Sequence, residues 1–180
     1  MIGIDSTASF QPIRIAVMTI SDTRTTDTDT SGALLIDRLQ KAGHILSDRV
    51  IIRDEKSDIE YMLREYISDE EIEVVLATGG TGVTGRDVTP EAFHAVYEKE
   101  IPGFGELFRM LSYKMIKTSA MQSRATAGTA GGTYLFALPG STSACRDAWD
   151  DILVYQLDIR HRPCNFAELL PRLQHKKDIP

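Results

Sequence analysis

Cysteine is scarce in this chain. Cys145 and Cys164 are the only two, neither belongs to a CxxC pair, and the four histidines are scattered without zinc-ligand spacing. A disulfide scaffold and a structural zinc site are therefore not expected, and both cysteines read as reduced thiols. Long apolar runs are missing too. Nothing approaches the roughly 20 residues that span a bilayer, and Met1 to Gln11 has no basic stretch followed by a hydrophobic one. No membrane association is expected, and the protein reads as cytoplasmic. Basic charge is in deficit: 20 Lys and Arg against 26 Asp and Glu leave a net charge of -6. Nucleic acids and anionic membranes are recognised through a basic field, so neither is expected as a partner, and any anionic ligand must be held locally. Repeats, low-complexity tracts and interdomain linkers are also lacking.

What is present suits one sizeable core. With 42% hydrophobic residues in 180, the chain reads as a polar lead (1–12), a single domain (13–170) and a C-terminal tail (171–180). Ile13 to Ile20 is a nearly continuous β-branched run, as in a parallel strand buried on both faces. A loop rich in Thr and Asp follows, and Thr30 or Ser31 can cap a helix through Gln40 that ends at Gly43. Leu46 to Ile52 is a second strand. Ser57 and Glu60 form a capping box for a helix toward Ile67, and Val74 to Ala77 is a third strand. Thr89 caps and Pro90 opens a helix to about Glu98. Gly103 to Lys114 has helical periodicity. Thr133 to Leu138 is a last strand, before a helix from Ser141 to Ile159. Strands alternating with helices imply parallel pairing through right-handed crossovers, hence an α/β doubly wound sheet that binds ligands beyond the carboxyl ends of its strands.

The densest signal is Thr78-Gly79-Gly80-Thr81-Gly82-Val83-Thr84-Gly85-Arg86-Asp87-Val88-Thr89-Pro90, just after a buried strand. Its glycines let backbone N–H groups approach phosphate oxygens, and Thr78 and Thr81 can add hydroxyl donors. No Gly-Lys-Ser/Thr follows, and the spacing is not that of a dinucleotide fingerprint. A ligand-free turn is the alternative. The complete run, with Arg86 and Asp87 before a capped helix, favours phosphate binding.

Thr78 to Ala92 resembles the signature of the MoaB/MogA family of molybdopterin-binding proteins. Thr19-Ile20-Ser21-Asp22, Asp29-Thr30-Ser31-Gly32, Pro102-Gly103-Phe104-Gly105-Glu106 and Leu138-Pro139-Gly140-Ser141 match the same family in order. Phe108 to Ser112, Gln122 to Ala125 and Arg162 to Phe166 look like its MoaB branch. The resemblance implies a three-layer α/β/α domain in a homo-oligomer, trimeric or hexameric. It also implies a role in molybdenum cofactor synthesis: adenylylation of molybdopterin by ATP with Mg²⁺. The family's two catalytic acids correspond to Asp54 and Asp87. Some MoaB-branch proteins lack them, and a noncatalytic pterin carrier is the alternative activity.

Carboxylates beside phosphates make chemical sense chiefly as Mg²⁺ ligands. Asp54 alone reads as a solvated acid and Asp87 alone as a helix-side charge; together, at two strand ends, they read as a site. Ser21, Asp22 and Asp29 either meet the substrate or shape turns and caps. Glu106 lies one helical turn from Arg109, which fits an intrahelical ion pair, while the resemblance puts Glu106 near the ligand. Pro139, Gly140 and Ser141 can offer backbone donors and a hydroxyl to phosphate, or form a plain turn and cap. Arg124 is either a charge for the same region or a surface arginine. Trp149 is core or subunit contact. The apolar residues of the Phe104 to Met115 helix cover more than one face, which suggests a subunit contact, and Phe166 packs on a neighbouring subunit or on its own domain.

Overall fold

The computed structural model describes residues 3–174. Most of the expected C-terminal tail lies outside them, as do Met1 and Ile2. In chain order the elements begin with β1 (Gly3–Ile4), β2 (Arg14–Ile20), α1 (Thr30–Lys41), β3 (Ile45–Ile52), α2 (Lys56–Ser68) and β4 (Val74–Thr78). Next come α3 (Thr89–His94), β5 (Lys99–Glu100), α4 (Pro102–Ile116), a 3₁₀ segment (Lys117–Gln122), β6 (Thr126–Ala130) and β7 (Thr133–Leu138). α5 (Thr142–Ala148) runs through a π-helical turn (Trp149–Leu153) into α6 (Val154–Gln156), and the chain ends with β8 (His161–Arg162) and α7 (Leu170–Gln174).

Six strands form one sheet in the order β3-β2-β4-β7-β6-β5. The first four are mutually parallel; β6 runs antiparallel to β7, and β5, antiparallel to β6, points the same way as the first four. Alternation along each strand sends side chains to opposite faces. Ile15, Val17, Val74 and Leu76 join the core beneath α1, α4 and α5, whereas Ala16, Met18, Val75 and Ala77 join the core beneath α2 and α3. The result is a three-layer α/β/α domain with a mostly parallel, doubly wound sheet, as expected.

Several local readings differ. α1 is capped by Asp29, whose Oδ1 accepts from Gly32 N at 2.8 Å, not by Thr30 or Ser31. The capping box at Ser57 and Glu60 does not form: the N-cap position is held by Glu55, two residues earlier, so Ser57 lies inside the first turn and its hydroxyl turns to Asp58. α3 stops at His94 because Glu98 N bonds Thr129 O, drawing the chain into β5. β6 (TAGTA) has almost no large apolar residues, so hydrophobic periodicity could not reveal it. The polar lead is tied down, since Gly3–Ile4 pairs with His161–Arg162 and Arg162 bridges to Asp5 at 3.0 Å. Trp149 is core, and Phe166 docks on its own domain, 4.9 Å from the Tyr134 ring. No helix among the described residues is long and apolar enough to cross a membrane.

Candidate functional site

Four parallel strands deliver their carboxyl ends to one edge of the sheet. The chain segments leaving β2, β3, β4 and β7 therefore bring together Ser21 and Asp22, Asp54, the glycine loop, and Pro139 to Ser141. Ser21 N donates to Ile52 O at 2.8 Å and Gly79 N to Leu138 O at 3.1 Å, so hydrogen bonds continue past the strands and fix these ends laterally.

The glycine loop needs its glycines. Gly79 and Gly80 have φ of +113° and +62°, which side chains disfavour. A Cβ on Gly79 would lie 2.1 Å from Ile20 O; one on Gly80 would lie 2.3 Å from Thr89 Oγ1 and 2.7 Å from Asp54 Oδ1. A Cβ on Gly82 would lie 2.7 Å from Asp87 Oδ2. Asp54 and Asp87 thus press directly against the backbone of the loop, one at Gly80 and one at Gly82.

The two acids have different surroundings. Asp87 Oδ2 accepts from Thr84 N at 2.8 Å and Thr84 Oγ1 at 2.6 Å, and that hydroxyl is the main reason its pKa falls below the ordinary aspartate value. Among the described residues, the Asp54 carboxylate accepts only a long contact from Val88 N, at 3.5 Å. Burial, with added repulsion from Asp87 and Asp22, raises its pKa. Such a carboxylate is short of positive partners.

The nearby cations are committed. Arg86 spans Asp22, at 2.6 Å, and Glu55, at 2.8 Å, and so ties the glycine loop to the β2 and β3 ends. Its hydrogen bond is the leading cause of the lowered pKa of Asp22. Arg124 donates to Gly82 O and Asp87 O, both at 2.6 Å, and pairs with Glu91. It clamps the loop from beneath, a role that neither reading of it as a free charge anticipated.

A cavity of about 380 Å³ opens between the loop, the Pro139 to Ser141 turn and α4. Of the residues singled out in the sequence, Gly80, Thr81, Gly82, Asp87, Pro139, Gly140 and Ser141 line it. Phe108, Ser112, Ser119, Gln122 and Ser123 complete it and were not identified as site residues. Phe108 and Ser112 are four apart on α4, and helical spacing could have paired them.

Other expected ligand contacts are structural here. The Thr78 hydroxyl is buried and donates to Pro139 O at 2.9 Å, joining β4 to the turn after β7 instead of facing a phosphate. Asp29 is buried, holding Gly32 N, the Thr19 hydroxyl at 2.8 Å and Arg49 at 3.1 Å. Its carboxylate has no face left for substrate. Ser21 Oγ accepts from Thr23 N and Arg24 N, shaping a turn. Ser141 both caps α5, through Ala144 N at 3.2 Å, and borders the cavity. Glu106 lines a separate, larger concavity of about 880 Å³ with Arg109, beyond Ser123. Arg109 donates to Ala125 O, and no ion pair joins it to Glu106.

A family model described as "Probable molybdopterin binding domain" matches residues 16–159. The chain belongs to this family. Within it, the relatives lie on the MoaB branch. Molybdenum cofactor biosynthesis protein B of Escherichia coli (strain K12) is 49% identical over 157 residues, 87% of this chain and 92% of that protein. The protein of the same description from Bacillus anthracis is 47% identical, over 81% of this chain and 86% of its own length. A crystal structure of molybdenum cofactor biosynthesis protein B superposes with a TM-score of 0.85 at 41% identity, covering 94% of this chain and all (100%) of that one.

Proposed function

We propose that this protein acts in molybdenum cofactor biosynthesis as a molybdopterin adenylyltransferase. The terminal phosphate oxygen of molybdopterin attacks the α-phosphorus of ATP. A new P–O bond forms, the bond from the α-phosphorus to the bridging oxygen breaks, and pyrophosphate leaves with the bonding electron pair. The observation that carries the reading is the pair of carboxylates, Asp54 and Asp87, set against Gly80 and Gly82, two glycines that line the cavity.

The chain's own groups support such a transfer. Gly79 N–H is spent on Leu138 O, but the main chain of Gly80, Thr81 and Gly82 borders the cavity and can offer N–H groups where phosphate charge accumulates. Pro139 to Ser141 and the α4 residues Phe108 and Ser112 wall the pterin side. Arg124 fixes the loop before substrate arrives, which removes a reorganisation cost from the transition state.

The donor set fits a hard cation. Mg²⁺ at phosphates needs only one or two protein carboxylates, with phosphates and water completing the shell. That agrees with finding no cluster of three or more metal-ligating side chains among the described residues. Asp54, short of positive partners, and Asp87 would hold it, and it would neutralise phosphate charge.

The decisive test is pyrophosphate release by purified protein with ATP, Mg²⁺ and molybdopterin. Turnover supports the transferase. Pterin binding without pyrophosphate would instead indicate a carrier of the same fold. Asp54→Asn and Asp87→Asn should each retain pterin binding yet lower turnover by on the order of 100-fold, the scale of a lost electrostatic contact in a preorganised site.

A further inference from the structure

Departure of pyrophosphate from ATP leaves a concentrated negative charge, yet Arg86 and Arg124 are already paired with acids. The remaining arginines of this edge gather elsewhere. Alongside the second half of the edge strand β3, and against the turn that leaves β2, is a shallow cavity of about 470 Å³, bordered by Ser21, Arg24, Thr25, Thr26, Arg53 and the β3 stretch Arg49 to Ile52. In a chain of net charge -6, three guanidiniums around one hollow are a local inversion of sign.

Their commitments are light. Arg24 spends one contact on Thr28 O at 3.0 Å, and among the described residues neither Arg24 nor Arg53 enters an ion pair. Arg49 meets Asp29 at 3.1 Å and Thr26 O at 3.3 Å, while its buried Nε has no hydrogen-bond partner. Asp29 is thus the one carboxylate bonded to the cluster. Asp22 and Asp54 stand next to it, each one residue beyond a lining residue, Ser21 and Arg53.

The placement across the edge matters. With β3, β2, β4 and β7 side by side, the arginine hollow is lined from β3 and the segment leaving β2 and the loop cavity from the segments leaving β4 and β7, and three interstrand spacings separate β3 from β7 by roughly 14 Å. Phosphoryl transfer proceeds with attacking and leaving oxygens roughly in line, on opposite sides of the phosphorus. A pterin phosphate arriving from the α4 side drives the leaving group toward β3.

We propose that Arg24, Arg49 and Arg53, with the hydroxyls of Ser21, Thr25 and Thr26, form the subsite for the β- and γ-phosphates of ATP and for the departing pyrophosphate. The proposal rests on the transferase reading for its direction. The chemistry it needs is a di- or triphosphate met by guanidinium forks.

Calorimetric titration of the full chain with inorganic pyrophosphate, ATP and AMP, each with Mg²⁺, tests it. The exposed pair is changed together, Arg24→Gln with Arg53→Gln, beside a charge-matched control, Arg64→Gln with Arg146→Gln, on exposed helix positions. The expected result is pyrophosphate and ATP affinity lowered by about tenfold or more, AMP unchanged within about twofold, and no effect in the control. Wild-type protein that does not bind pyrophosphate, equal losses for AMP and ATP, or affinities indifferent to the double variant would each overturn the subsite. The two readings fail separately. A protein that binds pyrophosphate through these arginines but never makes it keeps the subsite and loses the transferase, and an active transferase indifferent to the double variant does the reverse.

Discussion

Arg124 reaches the main-chain carbonyl of Asp87 at 2.6 Å, and the same guanidinium holds Gly82 O and the Glu91 carboxylate. One side chain thereby sets the distance between the end of the glycine loop and its acid. Arg124→Lys keeps the charge but not the fork. Turnover should fall by about tenfold or more with circular dichroism unchanged, since misplacing a reacting group by about 1 Å is costly. Wild-type kcat/KM in the folded variant would remove the clamp from the catalytic account.

Gly80 and Gly85 sit in the same loop with opposite constraints. A Cβ at Gly80 collides with Thr89 and Asp54 on a backbone of φ +62°, while one at Gly85 meets nothing within 4 Å. Gly80→Ala should destabilise by about 2 kcal/mol or more and weaken ATP binding. Gly85→Ala should leave both intact. Urea melts and nucleotide titrations of the two variants, compared side by side, decide the matter, and equal behaviour would count against the close-approach reading.

His44 is buried between Phe10 and Trp149, its Nδ1 accepting from Ile13 N at 3.2 Å, and burial depresses its pKa from 6.5 to about 4. The unfolded chain takes up this proton first. Stability is therefore fully present above pH 6.5 and is lost as pH falls toward 4, by at most about 3 kcal/mol at 1.36 kcal/mol per pH unit. His44→Asn, which can still accept from Ile13 N, should flatten the fall in Tm between pH 7 and 4.5. An unchanged slope would mean other groups cause it.

For Asp54 the sign is reversed. Its folded-state pKa is raised, so the folded protein binds the proton more tightly, and this stabilising contribution disappears as pH rises from the ordinary aspartate value through the raised one. At neutral pH the ionised acid is a liability to the fold. Asp54→Asn should raise Tm at pH 7 while lowering turnover by on the order of 100-fold, a combination expected of a residue kept for chemistry. A lower Tm would assign Asp54 a structural part.

α4 turns Leu107, Met110 and Tyr113 to solvent, and Met115, Ile116 and Met121 extend the exposed apolar surface. A homo-oligomer, trimer or dimer of trimers, is the proposed cover for that face. Light scattering should give a multiple of the 20.0 kDa chain mass on dilution, and Met110→Glu should lower it. A monomer at all concentrations would sink the proposal.

Much of this was legible because buried parallel strands announce themselves. Val74 to Ala77 and Thr133 to Leu138 are apolar along their length and were placed to within a residue. The edge of the sheet was not: β6 is built from Thr, Ala and Gly, and β5 is two residues long. At the site, the glycine run pointed to the loop, and Asp54 and Asp87 stand beside it. What stayed hidden was the use of polar side chains. Thr78, Asp29 and Arg124 carry groups that could serve a ligand or the backbone, and only the three-dimensional arrangement of neighbouring carbonyls and N–H groups decides between those uses.

The parallel order of β3, β2, β4 and β7 has a consequence for biogenesis. Ser21, Asp54, Gly80 and Ser141 follow four different strands, so the two acids, the glycine loop and the Pro139 to Ser141 turn come together only when the whole parallel set has assembled. During synthesis the last wall, Pro139 to Ser141, emerges only after three-quarters of the chain. A chain that stops short of β7 lacks the turn that closes the cavity beside the glycine loop. A ligand held between these ends favours the completed fold by mass action, so a cell rich in substrate would also hold more intact protein.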